Sequence, residues 1–356
     1  MPFLISGVFS LEFLIEYGLF LAKSVTILVA ILVVIAVIVG ASQRHRESEA
    51  GHIEVRNLNE SLEAITHNLK SVVQNVELRK KEAKDEKKKA KAKQKDLKKE
   101  VKGGHENRPR LFVLDFKGDV QASEVTGLRE EITAILSIAE EADEVMVRLE
   151  SPGGVVHGYG LAASQLQRVR NKSIPLTIAV DKVAASGGYM MACIANKIIA
   201  APFALLGSIG VVAQIPNFHR LLQKNEIDVE VLTAGEYKRT LTLFGENTEK
   251  DREKFVSELE DVHRLFKEFV SSNRPVVNID EVATGEAWFG IRALERDLVD
   301  ELKTSDEYII DQCADRDAFL VKYVLHKNKI DRLFERVTKM FVPGAFQQMI
   351  PKEYIR

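Results

Sequence analysis

Three short segments combine glycine and serine directly after strand-like apolar runs: Ser151-Pro152-Gly153-Gly154, Ala185-Ser186-Gly187-Gly188 and Gly207-Ser208-Ile209-Gly210. Loops at strand ends are where α/β folds keep their sites. Paired glycines present backbone N–H groups without side-chain obstruction, as an oxyanion hole for a tetrahedral intermediate requires. The same pair also makes an ordinary tight turn. Ser186 stands between the strand-like PLTIAV and a helical run, which puts its hydroxyl at a helix N-terminus beside free backbone donors. That placement suits a nucleophile and equally suits an N-cap. Spacing alone leaves both readings open.

A serine hydroxyl is a weak nucleophile at neutral pH and needs a base, either a histidine or a lysine kept neutral by its surroundings. Of eight histidines, His45, His52, His67 and His105 precede the glycine-rich region, and His219, His263 and His326 lie in polar helical stretches where a solvated side chain is expected. His157, three residues after SPGG, is the competitor. Lys238 lies in TAGEYKRT after the strand-like DVEVLT and beside Arg239, where a solvated surface charge is the plainer reading. The residues do not choose between His157 and Lys238. Cys193 and Cys313 are far apart and in no CxxC or Cys/His cluster, so neither a disulfide framework nor a zinc site is indicated. Cys193, in the apolar run MMACIA, is expected to be a buried structural thiol.

The elements that must carry these loops begin after residue 105. LFVLDF, the amphipathic GLREEITAILSIAEEA, EVMVRLE, LAASQLQRVR and PLTIAV alternate strand-like with helical texture. This predicts repeated βα units building a buried, mainly parallel sheet, an α/β fold. At 356 residues the chain has room for one catalytic domain with appendages. Its net charge of -2 conceals ends of very different composition.

Residues 24–41, SVTILVAILVVIAVIVGA, carry no charge over 18 residues, the length of a transmembrane helix. A cleaved signal peptide has a shorter apolar core, so an uncleaved anchor is favoured. Residues 1–23 are apolar but contain Glu12 and Glu16, as an interfacial helix would. Residues 42–105 are expected to form a helical stalk. Within it Leu58, Leu62, Ile65, Leu69, Val72 and Val76 recur at alternating spacings of four and three, the seam of a short coiled coil. From Arg79 to Lys102 thirteen basic residues meet five acids with no aromatic residue among them, the texture of a solvated linker rather than a nucleic-acid or lipid surface. Arg44, Arg46 and Arg56 after the span place the C-terminal bulk in the cytoplasm by the positive-inside rule, a rule that long domains weaken.

LESPGG, VDKVAASGGYMMA, APFALLGSIGVVAQ, TAGEYKRTLTLFGENTEKDREKF and ATGEAWFGIRALERDLVDE, as an ordered set over roughly residues 110–305, resemble the signal peptide peptidase A family. The resemblance implies a ClpP/crotonase-like fold of repeated ββα units over residues 106–305. It matches Ser186 to the family nucleophile, Lys238, 52 residues later, to the general base, and Ser208 to the serine that orients the lysine. Gly153 and Gly187 correspond to backbone donors of the oxyanion hole, with Gly154 an adjacent candidate. It further implies peptide or protein substrates at the membrane, a homo-oligomer whose dyad is assembled between neighbouring subunits, no cofactor or metal, no nucleic-acid partner, and a single-pass anchor in a bacterial inner membrane. The periplasmic face is favoured on resemblance, against the charge pattern. The sequence departs from the family at Asp297, where glycine is usual before Leu-Val-Asp, though aspartate tolerates the left-handed backbone such a turn uses. Residues 306–356 match no pattern. Two other readings are a crotonase-type acyl-CoA enzyme, which explains SPGG but not Ser186 with Lys238, and a catalytically inactive membrane scaffold.

Overall fold

The computed structural model describes residues 16–29, 51–73 and 108–325. The chain divides into two units, residues 1–52 with 324–356, and residues 53–323. In the first, residues 16–29 form a helix, α1, with exposed side chains. It contains the first six residues of the expected span; residues 30–41 lie outside the described residues. Among the described residues no helix is long and apolar enough to cross a membrane. The Lys-rich linker also lies outside them.

The second unit is α/β. After β1 (His52–Asn57) and α2 (Leu58–Val73) come β2 (Arg110–Lys117), α3 (Val125–Leu136), β3 (Glu144–Glu150), α4 (Val156–Asn171), β4 (Leu176–Val180) and β5 (Val183–Ala185). These are followed by α5 (Gly187–Ala192), β6 (Lys197–Ala200), β7 (Leu205–Gly207), α6 (His219–Lys224), α7 (Glu249–Asn273) and α8 (Ile279–Val282). The chain closes with β8 (Ala287–Phe289), α9 (Gly290–Leu294), β9 (Glu301–Leu302), α10 (Ser305–Asp315) and β10 (Asp317–Val324). A seven-stranded sheet has the order β1-β10-β2-β3-β4-β6-β9, and a smaller one the order β5-β7-β8. β10, β2, β3, β4, β6 and β9 pair in parallel, while β8 runs antiparallel to β7.

Near-continuous apolar runs are what a sheet covered on both faces requires, and all five residues of β4 are buried. Along β2 the period-two alternation splits the core. Phe112, Leu114 and Phe116 join the layer containing Ile132, Leu166 and Tyr189, whereas Leu111 and Val113 face the layer of Met146, Tyr308 and Ile309.

The sheet extends beyond the expected domain limits. β1, within the stretch read as stalk, forms its edge, and β10, within the stretch read as a C-terminal extension, sits between β1 and β2. Asn59, at the start of α2, fastens that edge: its Nδ2 donates to the carbonyls of Cys313 and Arg316, at 3.1 Å each, and its Oδ1 accepts from the Ala318 N–H at 2.8 Å. DVEVLT, read as strand-like, has no strand structure and is exposed, because among the described residues no neighbouring strand takes its backbone groups. His263 on α7 is half-buried rather than solvated. Asp297 does adopt a left-handed backbone, φ 56°, with its carbonyl held by the Arg274 Nε at 2.7 Å.

Candidate active site

Ser186 occupies the single residue between β5 and α5. Its φ is 52° and its ψ -118°, and its side chain makes no capping hydrogen bond, so the N-cap reading fails. A non-glycine residue in this region is strained and persists only where the surroundings impose it. Here they do: the Ser186 N–H donates to the Gly207 carbonyl at 2.8 Å, and the Met190 N–H donates to the Ser186 carbonyl at 2.9 Å.

The SPGG loop is fastened alongside. Ser151 bridges to Ala184 in parallel, its N–H donating to Val183 O at 2.8 Å and its carbonyl accepting from Ala185 at 3.0 Å. This brings Gly153, at φ 92°, against the serine: a Cβ on it would lie 2.7 Å from Ser186 Cβ and 2.9 Å from the Gly187 nitrogen. The Gly153 N–H is already engaged, donating to Ser151 Oγ at 3.1 Å. Among the described residues the N–H groups of Gly154 and Gly187 make no hydrogen bond. Gly154 is exposed, with the Val120 carbonyl against the position of its absent side chain.

Below the loop lies a buried polar chain that the sequence reading missed. Ser151 Oγ and Tyr159 Oη are 2.5 Å apart, and Tyr159 donates its proton to the Asp119 carbonyl at 2.8 Å. Tyr159 has no further proton to give, so Ser151 donates to it and accepts from Gly153. Both residues are fully buried, and burial, partly offset by the Ser151 hydrogen bond, raises the Tyr159 pKa. The tyrosine ring also fills the space beside Gly187, where a Cβ would meet it at 2.4 Å. Serine within SPGG was visible in sequence; a tyrosine eight residues later on a helix carried no signal.

Ser208, also left-handed at φ 52°, follows Gly207, and its N–H donates to the Glu286 carbonyl at 2.6 Å. Ser186, Gly153, Gly187 and Ser208 therefore belong to one set of adjoining loops. Lys238 stands apart on residues 211–240, which are exposed almost throughout. Its backbone N–H donates to Gly235 O at 3.2 Å, and the residues before it are held to α7: Glu236 pairs with Lys250 at 2.7 Å, and the Tyr237 ring lies 5.2 Å from the Lys254 ammonium. This arm exposes a row of apolar side chains, with Val212 at 91% and Leu232 at 89%. His157 is exposed near the start of α4. Cys193 is fully buried, and burial pushes its thiol up to about 12, as expected of an inert side chain. A cavity of about 270 Å³ at the ends of β2, β3 and β4 is lined by Asp115, Lys117, Arg148, Glu150, Asp181 and Lys182, and includes none of the serine-bearing loops.

Comparison with known proteins decides the family. The N-terminal domain of peptidase family S49 matches residues 12–166, and the family's peptidase domain matches residues 168–318. A protein named probable protease SohB from Haemophilus influenzae is 52% identical over 325 residues, covering 90% of this chain and 92% of the relative. The chain belongs to peptidase family S49. The family resemblance read from the glycine-serine segments is thereby established, and so is peptidase chemistry at the family level. Another S49 relative, the probable protease SohB of Buchnera aphidicola from Schlechtendalia chinensis, is 52% identical over 304 residues, with 84% of this chain and 99% of the relative covered. Among solved structures, a mutant of the 1510-N membrane-bound stomatin-specific protease in complex with a substrate peptide aligns at a TM-score of 0.38 with 14% identity, over 65% of this chain and 99% of that one.

Proposed function

We propose that this S49 peptidase is a membrane-anchored serine endopeptidase of ClpP/crotonase-like architecture, with Ser186 as nucleophile and Lys238 as general base. The observation that carries the reading is the strained, uncapped Ser186 packed against Gly153, with unspent N–H groups at Gly154 and Gly187 beside it. Ser186 Oγ attacks the scissile carbonyl carbon as Lys238 Nζ accepts its proton. The carbonyl electrons move to the oxygen, where backbone N–H groups of Gly187 and the SPGG loop receive the developing charge. Collapse expels the amine, which takes the proton back from Lys238, and leaves an acyl-enzyme. Lys238 then activates water to release the acid and restore Ser186. Ser208 orients the lysine. No cofactor or metal enters the scheme. The substrates are peptides or proteins at the membrane, including signal-peptide-like segments.

In this reading the active assembly is a homo-oligomer. The arm carries Lys238 among exposed apolar residues, including the unpaired DVEVLT segment, and a neighbouring copy supplies the surface that covers them. Each Ser186 is then served by the Lys238 of another copy. The anchor is residues 24–41, in a bacterial inner membrane.

The test is peptidase activity of the full chain in detergent, comparing wild type with Ser186→Ala, Lys238→Ala and His157→Ala, and with the first two variants co-expressed. The reading expects the first two inactive, the third active, and partial activity restored in the mixture. Loss in His157→Ala with Lys238→Ala active moves the base to histidine, and failure of the mixture to recover any activity rejects the shared site.

A further inference from the structure

Lys238 hangs between two tethers, and both end on the start of α7. On its N-terminal side Gly235 takes a left-handed backbone, φ 101°, and the Lys238 N–H closes the turn on the Gly235 carbonyl at 3.2 Å. The two residues inside that turn, Glu236 and Tyr237, both reach α7. Glu236 Oε1 pairs with Lys250 Nζ at 2.7 Å, and the Tyr237 ring faces two ammonium groups, Lys250 at 6.0 Å and Lys254 at 5.2 Å from its centroid. Lys250 and Lys254 are four residues apart and so share one face of the helix. On the C-terminal side Thr242 is tied to Asn247: its N–H donates to the asparagine Oδ1 at 2.8 Å and its carbonyl accepts from Nδ2 at 3.1 Å. Asn247 directly precedes Thr248, whose capping box with Asp251 fixes the first turn of α7.

α7 in turn is held at its other end. Phe266 and Val270 are buried, and Arg274, just past the helix, donates to the Asp297 carbonyl at 2.7 Å and pairs with Asp300 at 2.9 Å. The Tyr189 hydroxyl on α5, the helix that begins beside Ser186, donates to the Leu298 carbonyl at 3.0 Å in the same turn. α7 therefore runs as a strut from the turn that holds α5 to the turn that carries Lys238, with Lys250 about 24 Å along the axis from Phe266. An exposed ion pair alone contributes little. Here one ammonium, that of Lys250, serves both Glu236 and Tyr237, so the contacts share a single geometry. The hydrogen bond between Glu236 and Lys250 lowers the carboxyl pKa and raises that of the ammonium, so both stay charged at neutral pH.

We propose that Glu236 and Tyr237 are positioning residues for the peptidase reaction, clamping the turn that carries Lys238 to Lys250 and Lys254 of α7; this rests on the reading of Lys238 as the general base. A lysine amine swings on a flexible four-carbon stem, so its place is set by how firmly the backbone beneath it is held. A displacement of about 1 Å at a reacting group can cost about 10²-fold in rate. The clamp acts through Lys238 and takes no part in the proton transfer itself.

The experiment measures steady-state hydrolysis of a fluorogenic peptide by the full chain in detergent, with Lys238→Ala in parallel. Tyr237→Ala is expected to lower kcat about tenfold, with KM within about twofold of wild type and an unchanged circular dichroism spectrum. Tyr237→Phe, which keeps the ring, is expected to recover most of that loss. Glu236→Lys is expected to lower kcat, and adding Lys250→Glu, which restores the pair with its charges exchanged, to bring it back. A merely structural role would move stability rather than kcat at constant KM. Lys238→Ala with wild-type activity removes the general base and the clamp with it. Lys238→Ala inactive, with Tyr237→Ala and Glu236→Lys at wild-type kcat, overturns the clamp and leaves the base standing. A loss confined to KM, or a charge exchange that recovers nothing, overturns the clamp as well.

Discussion

Gly153 and Ser186 approach so closely that a Cβ on the glycine would stand 2.7 Å from the serine Cβ. The two loops therefore form one object: the first limits the room available to the second, and the Ser151–Ala184 bridge beneath holds them in register.

Gly153→Ala tests that relationship directly. The new methyl would also meet Ala185 O at 2.8 Å, at a backbone φ of 92° that alanine resists. Stability should fall by about 1–3 kcal/mol, and kcat by about 10²- to 10³-fold, the cost of a misaligned oxyanion hole. Denaturant titration alongside steady-state peptide hydrolysis separates the two losses, and an alanine variant with wild-type kcat would remove Gly153 from the site.

Tyr159→Phe keeps the ring that packs beside Gly187 while deleting the hydroxyl between Ser151 and Asp119. The folded domain should survive, kcat should fall about tenfold, and KM should change little. Ser151→Ala should do the same, and the double variant should cost no more than either alone, because the two act through one hydrogen-bonded chain. Additive losses would mean that the hydroxyls act separately.

Glu131 on α3 is buried and accepts the Tyr323 N–H at 2.8 Å. Burial, opposed by that hydrogen bond and reinforced by Glu124 and Asp115, pushes its carboxyl up from 4.5 to about 7. The folded chain thus holds this proton more tightly than the unfolded chain. The resulting stability is fully present below pH 4.5 and is lost as pH rises through about 7. The total change is up to about 3 kcal/mol. Urea midpoints of Glu131→Gln, compared with wild type between pH 5 and 8, should show this contribution flattened; parallel curves would reject it.

In the proposed function, membrane attachment rests on residues 24–41. Replacing Val33 and Val34 with lysine costs about 2.5–3.5 kcal/mol per residue at the centre of a span, so the doubly substituted chain should leave the membrane fraction on sedimentation. A C-terminal reporter active only in the periplasm fixes the side, with signal expected if the family resemblance prevails over the arginines that follow the span.

What was legible in the sequence follows from how locally each feature is encoded. β2, β3, β4 and their helices were readable because buried parallel strands announce themselves as apolar runs. The placement of the Ser186 and Gly153 loops at strand ends was readable because each is a short glycine-containing motif after an apolar run. The Ser151–Tyr159 chain was hidden, since it joins a loop to a helix face through contacts that periodicity does not record. DVEVLT misled because β propensity describes a segment's fitness for a sheet, and the edge it would need is absent from the described chain. β10 was missed for the opposite reason: its place is set by Asn59 and β2, more than 200 residues earlier.

That last pairing has a consequence for how the peptidase comes into being. β1 emerges first, yet its partner in the sheet order is β10, which begins only at Asp317. A chain still being synthesised therefore carries an incomplete sheet edge for most of its manufacture, with Asn59 waiting for the backbone of residues 313–318. Such distant pairing is slow to form and leaves edges open to the wrong partners. The seven-stranded sheet becomes whole only once β10 has been delivered, so a prematurely terminated chain ending before residue 317 would present an unfinished edge to quality control instead of a finished protease.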